Sequence, residues 1–272
     1  MTMEWELIFL WVALGLLTLT GVVAVIGLVL AQLPERLVLL GMSMGLIFHT
    51  LSLALRWERL GHGPFISQFE ILSSNIWSLT LFFTWVYARF RLIRSLAGVV
   101  IPILFLMMGW LLVVRHGDTF LPPTYDTIWL YIHIGLGKVF LGAALVAASL
   151  GVVVISRVFL VTRTFFVRLP NDNSLDELSY RFLALALIFN TLMLISGAIW
   201  AQDAWGRYWA WDPLEIWSLI NWLLIAMALH VRPLFSPPPV WGGVVAILVF
   251  MVAFLNFFGV PFLSTATHQG MI

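Results

Sequence analysis

Cysteine is absent from the 272-residue sequence, and charged residues are scarce. Without a thiol the chain forms no disulfide bond, no thiolate nucleophile and no thioether to a prosthetic group. Asp, Glu, Lys and Arg make up 10% of the residues, whereas soluble domains contain about 25%. The net charge of +1 leaves no basic surface of the kind that binds nucleic acid. These shortages exclude a water-soluble domain, thiol chemistry on this chain and a nucleic-acid-binding protein.

Apolar residues dominate: 62% of the chain is hydrophobic and the mean hydropathy is +1.03. A transmembrane helix requires about 20 consecutive apolar residues. The runs that meet this requirement predict an all-α polytopic membrane protein with about eight transmembrane helices in the lipid bilayer. The predicted spans are residues 7–30, 37–56, 70–88, 96–114, 127–155, 180–201, 213–231 and 241–258. No linker or internal repeat interrupts them, so we expect one membrane domain over residues 1–272.

The distribution of arginine between the loops predicts how the helices are oriented, because basic residues concentrate in cytoplasmic loops. The loops after the first, third, fifth and seventh spans contain eight arginines, and the opposite loops contain four. The two sets are Arg36, Arg89, Arg91, Arg94, Arg157, Arg163, Arg168 and Arg232 against Arg56, Arg59, Arg115 and Arg207. Both termini and the loop between spans six and seven are therefore expected on the outer, periplasmic face. The first span has acidic flanks (Glu4, Glu6), which favours a retained helix over a cleaved signal.

Three helix starts have the residue pattern of a capping box, in which an N-cap side chain and a Glu three residues later bond to each other's backbone N–H groups. They are Ser67 with Glu70, Ser174 with Glu177, and Asp212 with Glu215. In the third, Pro213 follows Asp212 at the first helical position, where its missing N–H costs nothing. We therefore interpret Asp212 and Glu215 as structural caps in preference to an acid–base pair.

Six of the fourteen tryptophans lie between residues 200 and 222, in WAQDAWGRYWAWDPLEIWSLINW. We call residues 200–222 the tryptophan-rich segment. Tryptophan is favoured at the membrane–water boundary, so a heavy interfacial anchor is one interpretation. Four tryptophans and Tyr208 within thirteen residues exceed what an anchor needs. Their density predicts a flat aromatic platform for a large, planar, apolar ligand.

The histidines are the second informative set, because an ionisable side chain in a membrane helix is costly and marks a functional site by default. His133 is near the outer end of the fifth span, and His268 is in the outward C-terminal tail. On either side of an aromatic platform, two neutral imidazoles suit the two axial positions of a haem iron. His230 is at the cytoplasmic end of the seventh span. Lys138, within the fifth span, either neutralises a haem propionate or pairs with a carbonyl.

The string WGRYWAWDPLEIWSLINW, preceded by LDELSYRFLALALIFNTLMLISGAIWAQDA and followed by MALHVR, resembles the tryptophan-rich signature of the CcsA (ResC) cytochrome c assembly proteins. These proteins share a haem-handling superfamily with CcmC and CcmF. The segments RWERLGHGPFISQFE and WLYIHIGLG extend the resemblance over about residues 45–272. Leu214 and Ile216 replace the Lys and Thr usual in the family, and STATHQGMI, which contains His268, is a looser match.

The resemblance implies cytochrome c biogenesis of the System II type, with haem b as the transferred ligand. It implies haem at the outer surface with His133 and His268 as axial ligands of the iron, and a second haem site at His230 within the membrane. The other residues expected to bind haem are Trp205, Arg207, Tyr208, Trp209, Trp211 and Asp212. Arg207 contacts either a propionate or a lipid headgroup.

The partners that the resemblance implies are a CcsB (ResB)-type membrane protein and an apocytochrome c that carries CxxCH. This chain lacks a CcsB region, so either a separate partner or His49 completes the site at His230; we favour the partner. The chain is then the haem-presenting subunit of a cytochrome c synthase, without catalytic residues of its own. Its expected location is the bacterial inner membrane, or the thylakoid membrane if it is plastid-derived.

Two alternatives are open. A cytochrome b-like electron carrier would use histidine pairs such as His49 with His62 or His116 with His133, but it leaves the tryptophan-rich segment unexplained. A regulatory member of the same superfamily, similar to HemX, would have the signature without a synthase role.

Overall fold

The computed structural model describes residues 2–159, 162, 164–166 and 168–260, and His268 lies outside them. The described residues form helices joined by turns, without a strand. Within this described part of the chain, eight helices are long and apolar enough to cross a membrane, which confirms the predicted all-α polytopic fold. They contain α1 (Thr2–Val29), α2 (Glu35–Leu60), α3 (Gln68–Arg89), α4 (Ala97–Leu111), α5 (Ile128–Ser156), α6 (Asp172–Trp205), α7 (Pro213–Phe235) and α8 (Pro239–Phe254). The spans that contain α4 and α8 are longer than these helices, Arg91–Leu111 and Pro239–Gly259. A 3-10 helix (Arg91–Leu96) precedes α4, another (Thr164–Phe166) follows α5, and a π-helical turn (Leu255–Gly259) continues α8.

Two of the three predicted capping boxes are confirmed, at Ser67 and at Asp212. The prediction at Ser174 is wrong, because the N-cap of α6 is Asn171, whose side chain accepts the Ser174 N–H at 2.9 Å. Helix α6 therefore begins eight residues before the predicted residue 180. Hydropathy missed this start because the first turns of α6 are polar. At 34 residues α6 is about 51 Å long, more than the roughly 30 Å of a bilayer core.

The chain divides into two compact units. Unit 1 contains the described residues up to Phe120 together with those from Ser156 to Pro170. Unit 2 contains residues Leu121–Ile155 and the described residues from Asn171 onward. The single membrane domain expected from the sequence stays a prediction.

A buried ion network joins the helices of unit 1. Arg56 on α2 is 2% exposed, and its guanidinium donates to Glu6 on α1 at 2.7 Å and to Glu70 on α3 at 2.8 Å. It also donates to the Gly117 carbonyl oxygen, in the segment after α4, at 2.7 Å. The second oxygen of Glu70 accepts the Ile66 N–H at 2.8 Å, so the capping Glu is also an ion-pair partner. A buried charge is tolerated only where it is paired and hydrogen-bonded, and these contacts meet that condition.

Arg59 extends the network towards solvent. It donates to Glu6 at 2.9 Å and to the exposed Asp118, whose pKa is held below its usual range by the hydrogen bond from the Arg59 guanidinium. The loop position expected for Arg56 and Arg59 is wrong, because α2 continues to Leu60 and contains both.

Helices α5 to α8 form unit 2, and α5 is its most buried helix. Glycine allows close backbone approach between α5 and α8, since a Cβ on Gly151 would lie 2.6 Å from the Gly243 carbonyl oxygen. Helix α7 differs from the others, because only Asn221 and Ile225 are buried along it. Hydrogen bonds hold it to its neighbours, among them the one that Tyr180 donates to the Leu229 carbonyl oxygen at 3.2 Å.

Candidate functional site

An aromatic cluster forms where α6 ends and α5 begins. Trp200 and Trp205, on the last turns of α6, lie 4.9 Å apart between ring centroids, at 75°. The Tyr125 ring meets both of them edge to face, at 5.6 and 5.8 Å. The Trp200 Nε1–H donates to the Tyr125 carbonyl oxygen at 3.0 Å. These contacts join the segment before α5 to the end of α6 and fix both rings.

His133 occupies a fitted position beside this cluster. Its ring lies parallel to Trp200, with an interplanar angle of 13° and a centroid separation of 6.4 Å. Its Nδ1 is 2.9 Å from the Met193 carbonyl oxygen on α6. A carbonyl only accepts hydrogen bonds, so Nδ1 carries the proton and Nε2 keeps the lone pair that binds metals. Gly197 makes room for the ring, because a Cβ there would lie 2.6 Å from Nδ1.

The turn that follows the cluster is held by caps at both ends. Gly206 ends α6 in the left-handed conformation at φ 77°, and its N–H bonds to the Gln202 carbonyl oxygen at 2.9 Å. At the start of α7 the buried Asp212 accepts the Glu215 N–H at 2.9 Å, and Glu215 accepts the Ala210 N–H at 2.7 Å. These contacts support Asp212 and Glu215 as structural residues that fix the shape of the turn.

Two aromatic side chains of the turn are exposed, and Trp209 is partly buried. Tyr208 and Trp211 are 61% and 68% exposed, and Arg207 is exposed beside them. Trp211 has φ 59°, a left-handed conformation that is rare for an aromatic residue and often marks a functional site. The Trp209 and Trp211 rings are 5.9 Å apart and cross at 85°. These two rings therefore do not share a plane, and the segment presents separate ring faces and edges where the sequence suggested one flat platform.

His230 lies on α7, towards the end of the helix remote from the tryptophan-rich turn. Its side chain is exposed, and its Nδ1 donates to the Ala226 carbonyl oxygen at 2.8 Å. As at His133, a backbone carbonyl sets the tautomer and leaves the lone pair on Nε2. Metal-ligating histidines typically have this arrangement, in which one ring nitrogen binds the metal and the other donates to a carbonyl or carboxylate.

Three of the other histidines are in unit 1, and two of these, His49 and His62, contact polar protein groups. His49 is fully buried, with Nε2 2.9 Å from Ser73 Oγ. His62 contacts the carbonyl oxygens of Gly63 and Thr119, at 3.0 and 3.1 Å, with its two ring nitrogens. Neither arrangement favours the histidine pairs that the electron-carrier alternative requires.

The structure thus places His133, Trp200 and Trp205 together at the end of α6, next to the turn that contains Trp209 and Trp211. It places His230 at a separate position on α7. Lys138 is partly buried within α5.

Sequence reasoning missed Tyr125, Met193 and Gly197. Gly197 had a detectable signal, because an isolated glycine inside a helical pattern indicates close packing. Met193 contributes its backbone carbonyl, which no side-chain pattern reveals.

Comparison with known proteins matches this chain to cytochrome c assembly proteins. The family model described as "Cytochrome C assembly protein" matches residues 44–268. "Cytochrome c biogenesis protein CcsA" of Chlamydomonas reinhardtii is 30% identical over 247 residues, 85% of this chain and 67% of the relative. The protein of the same name from Gossypium hirsutum is 27% identical over 256 residues, 80% of each chain.

Among solved structures, "Cytochrome c Heme Lyase CcmF" matches with a TM-score of 0.74 and 18% sequence identity. The match covers 95% of this chain and 47% of that protein, so this chain corresponds to about half of its length. At this identity the likeness concerns the fold alone.

Proposed function

Because the chain belongs to the cytochrome c assembly protein family, a family of cytochrome c biogenesis, we propose that it holds haem b at His133 and the tryptophan-rich segment and presents it to apocytochrome c. The observation that carries this proposal is the position of His133. Its ring is fixed by Trp200, Met193 and Gly197, and its lone pair is on Nε2. Imidazole with a fixed tautomer is a good axial ligand for haem iron.

The turn beside His133 supports the proposal because it offers aromatic ring surface and one unpartnered hydrogen-bond donor. Trp209 and Trp211 offer two ring surfaces at right angles, one for contact with a porphyrin face and one with its edge. The Trp209 Nε1–H is buried without a hydrogen-bond partner among the described residues. A haem propionate would satisfy this donor, and Arg207, exposed on the same turn, would add a charge. Tyr208 is exposed on the same turn, Trp205 lies at the end of α6 directly before it, and Asp212 fixes the turn through its cap.

His268 is proposed as the second axial ligand, on the family resemblance of the C-terminal segment. An apocytochrome c with CxxCH then docks, and the histidine of that motif replaces one of the two ligands of the iron. Each thiol adds across one vinyl group of haem: sulfur bonds to one vinyl carbon and the thiol hydrogen passes to the other. The chain contributes by positioning, because well-oriented reactants gain up to about 7–11 kcal/mol over free ones. On this proposal it is the haem-presenting subunit of a synthase.

His230 is proposed to bind haem within the membrane, together with a CcsB (ResB)-type partner. Six of the exposed residues of α7 form a stripe in which spacings of four and three alternate, the pattern of a helix that packs along another helix. They are Ile216, Ile220, Leu223, Met227, His230 and Leu234. His230 belongs to this stripe, so a helix that covers the stripe is placed to supply the other axial ligand. His49, fully buried and in contact with Ser73, is less suited to that role.

The arginine distribution supports a topology with the tryptophan-rich turn on the outer side and His230 towards the cytoplasm. We propose the bacterial inner membrane as the location, or the thylakoid membrane if the chain is plastid-derived.

The proposal is tested by replacing His133 with Ala in cells that co-express a CcsB-type partner and a reporter cytochrome c. We expect holocytochrome to fall to background and imidazole in the medium to restore part of it. His116→Ala is the matched control, because His116 is exposed in another segment and should be silent. Normal maturation by His133→Ala would remove His133 from the site.

A further inference from the structure

Three asparagines lie within the membrane-spanning part of unit 2, and the proposed function does not use them. Asn190 on α6, Asn221 on α7 and Asn256 on the π-helical turn after α8 are 0%, 1% and 4% exposed. Both amide atoms of Asn190 and of Asn221, and Oδ1 of Asn256, have no hydrogen-bond partner among the residues that the structure describes.

Hydrogen bonds between the helices place the three side chains at one depth. Trp222 donates to Thr191 Oγ1 at 2.8 Å, which brings the adjacent residues Asn221 and Asn190 to the same level. Asn256 Nδ2 donates to Ser218 Oγ at 2.7 Å, and Ser218 lies one turn from Asn221 on α7. The polar groups of α6, α7 and the π-helical turn therefore form one layer.

The π-helical turn is an independent sign that this layer has a role. Leu255–Gly259 is the described π-helical segment, and Asn256 lies within it. Such turns are rare and occur frequently at functional sites. The contact between Asn256 and Ser218 is made from this turn.

The energetics require partners for these amides. A buried polar group without a hydrogen bond costs about 1–3 kcal/mol, and lipid supplies no compensating donor or acceptor. Buried side-chain polar atoms in proteins are satisfied by protein or by ordered water. The unmatched groups here include donors (the Asn190 and Asn221 NH₂ groups) and acceptors (three Oδ1 atoms).

Because the unpartnered amide groups include both donors and acceptors, they limit which ligand can satisfy them. A cation would use only the oxygens, and a carboxylate only the N–H groups. Side chains exposed by 4% or less leave no access for a molecule of the size of haem. Water both donates and accepts, and one molecule requires two to four polar partners. We propose that Asn190, Asn221 and Asn256 bind ordered water molecules that form a hydrated layer between α6, α7 and α8.

This layer explains how α7 is held in place. Only two residues of α7 are buried, so apolar packing contributes little to holding the helix. Water-mediated hydrogen bonds would add to the direct hydrogen bonds that Ser218 and Trp222 make with neighbouring helices. Asn190 also lies one turn before Met193, whose carbonyl fixes His133. The hydrated layer thus lies directly below the proposed haem ligand.

The absence of native cysteine allows a direct test, because each introduced thiol gives the only S–H infrared band of the protein. Asn190→Cys and Asn221→Cys are compared with Ala186→Cys, a 0% exposed position one turn from Asn190 on the same helix. The proteins are transferred to D₂O in lipid nanodiscs, and conversion of S–H to S–D is timed. We expect exchange at least tenfold faster at positions 190 and 221 than at 186, with S–H bands shifted by hydrogen bonding.

Equal exchange rates at all three positions would overturn the proposal. Each variant is first shown to retain the elution profile and tryptophan circular dichroism of the unaltered chain. If a cysteine variant fails this check, a high-resolution map of the unaltered protein in nanodiscs decides. Water density within 3.2 Å of the amides supports the layer, whereas direct amide–amide bonds or a dry contact overturns it. Neither measurement involves haem, so a result against the hydrated layer is distinct from a result against the proposed haem site.

Discussion

Replacing Gly197 with Ala should weaken haem binding, because the added methyl group displaces the His133 ring while the histidine itself is unchanged. The new Cβ would lie 2.6 Å from His133 Nδ1 and 2.8 Å from Cε1, whereas ordinary contacts begin at 3.4 Å. The ring must therefore retreat by about 0.8 Å. The same movement would lengthen the 2.9 Å contact between Nδ1 and the Met193 carbonyl oxygen beyond hydrogen-bond range.

The expected cost follows from these contacts. Overpacking a fitted site costs about 1–3 kcal/mol. If the whole cost falls on the iron-ligating position of the ring, haem affinity drops about 5- to 150-fold, since each 1.4 kcal/mol is a factor of ten. The assay is the haem content of the purified protein, measured as pyridine haemochrome, together with maturation of a reporter cytochrome c. Added imidazole should restore part of both.

Gly135→Ala is the matched control for this prediction. Gly135 lies on α5 two residues from His133, and a Cβ there would meet nothing within 4 Å. It should leave haem content unchanged. If Gly197→Ala also binds haem like the unaltered protein, the ring of His133 either tolerates the shift or does not bind iron, and the reasoning fails.

Three further changes test other parts of the structure. Trp211→Ala should purify with markedly less haem, whereas Trp241→Ala, which removes an equally exposed tryptophan on α8, should retain it; equal haem content would mean that Trp211 only anchors the turn. Arg56→Met should lower stability by about 3–5 kcal/mol, measured by thermal unfolding in detergent, because it leaves the buried Glu70 carboxylate without its guanidinium partner. Arg181→Met, at an exposed pair, should lower it by no more than about 1 kcal/mol. Asp212→Asn should keep haem content and stability, since Asn is an equally good N-cap, whereas Asp212→Ala should cost about 1 kcal/mol. Loss of haem in the Asn variant would mean that the carboxylate charge itself is needed.

The helices and two of their caps followed from the sequence, because hydropathy and capping are local properties. The start of α6 could not be predicted in this way. Its polar first turns are stabilised by Asn171 and by ion pairs such as that of Arg232 with Asp176, and these ion pairs form only after folding. The role of Arg56 could not be predicted for the same reason, since the local sequence indicates only a charged residue in a loop. It is instead the centre of a buried network whose partners are 50 and 14 residues away along the chain.

The candidate site was predictable in part for the same reason. His133 was identified because an ionisable residue is costly in a membrane helix. The geometry that supports the proposed ligand role depends on a backbone carbonyl 60 residues later and on the space that Gly197 leaves for the ring. The carbonyl has no side-chain signal in the sequence, and the isolated glycine indicates close packing without identifying its neighbour. The orientation of Trp211 likewise depends on a left-handed backbone conformation that its residue type disfavours.

His133 and His230 are too far apart to bind one metal ion. The hydrogen bond from Trp222 to Thr191 sets the level of α7 against α6. Met193, which holds His133, is two residues from Thr191 on one side of this level, and His230 is eight residues from Trp222 on the other. At 1.5 Å per residue the two histidines are about 15 Å apart along the helices. Two imidazole nitrogens on one metal lie roughly 4 Å apart, since each bond is about 2 Å. One iron cannot bind both, so on the proposed function each histidine requires a different second ligand, and for His230 the exposed stripe of α7 is where that ligand must approach.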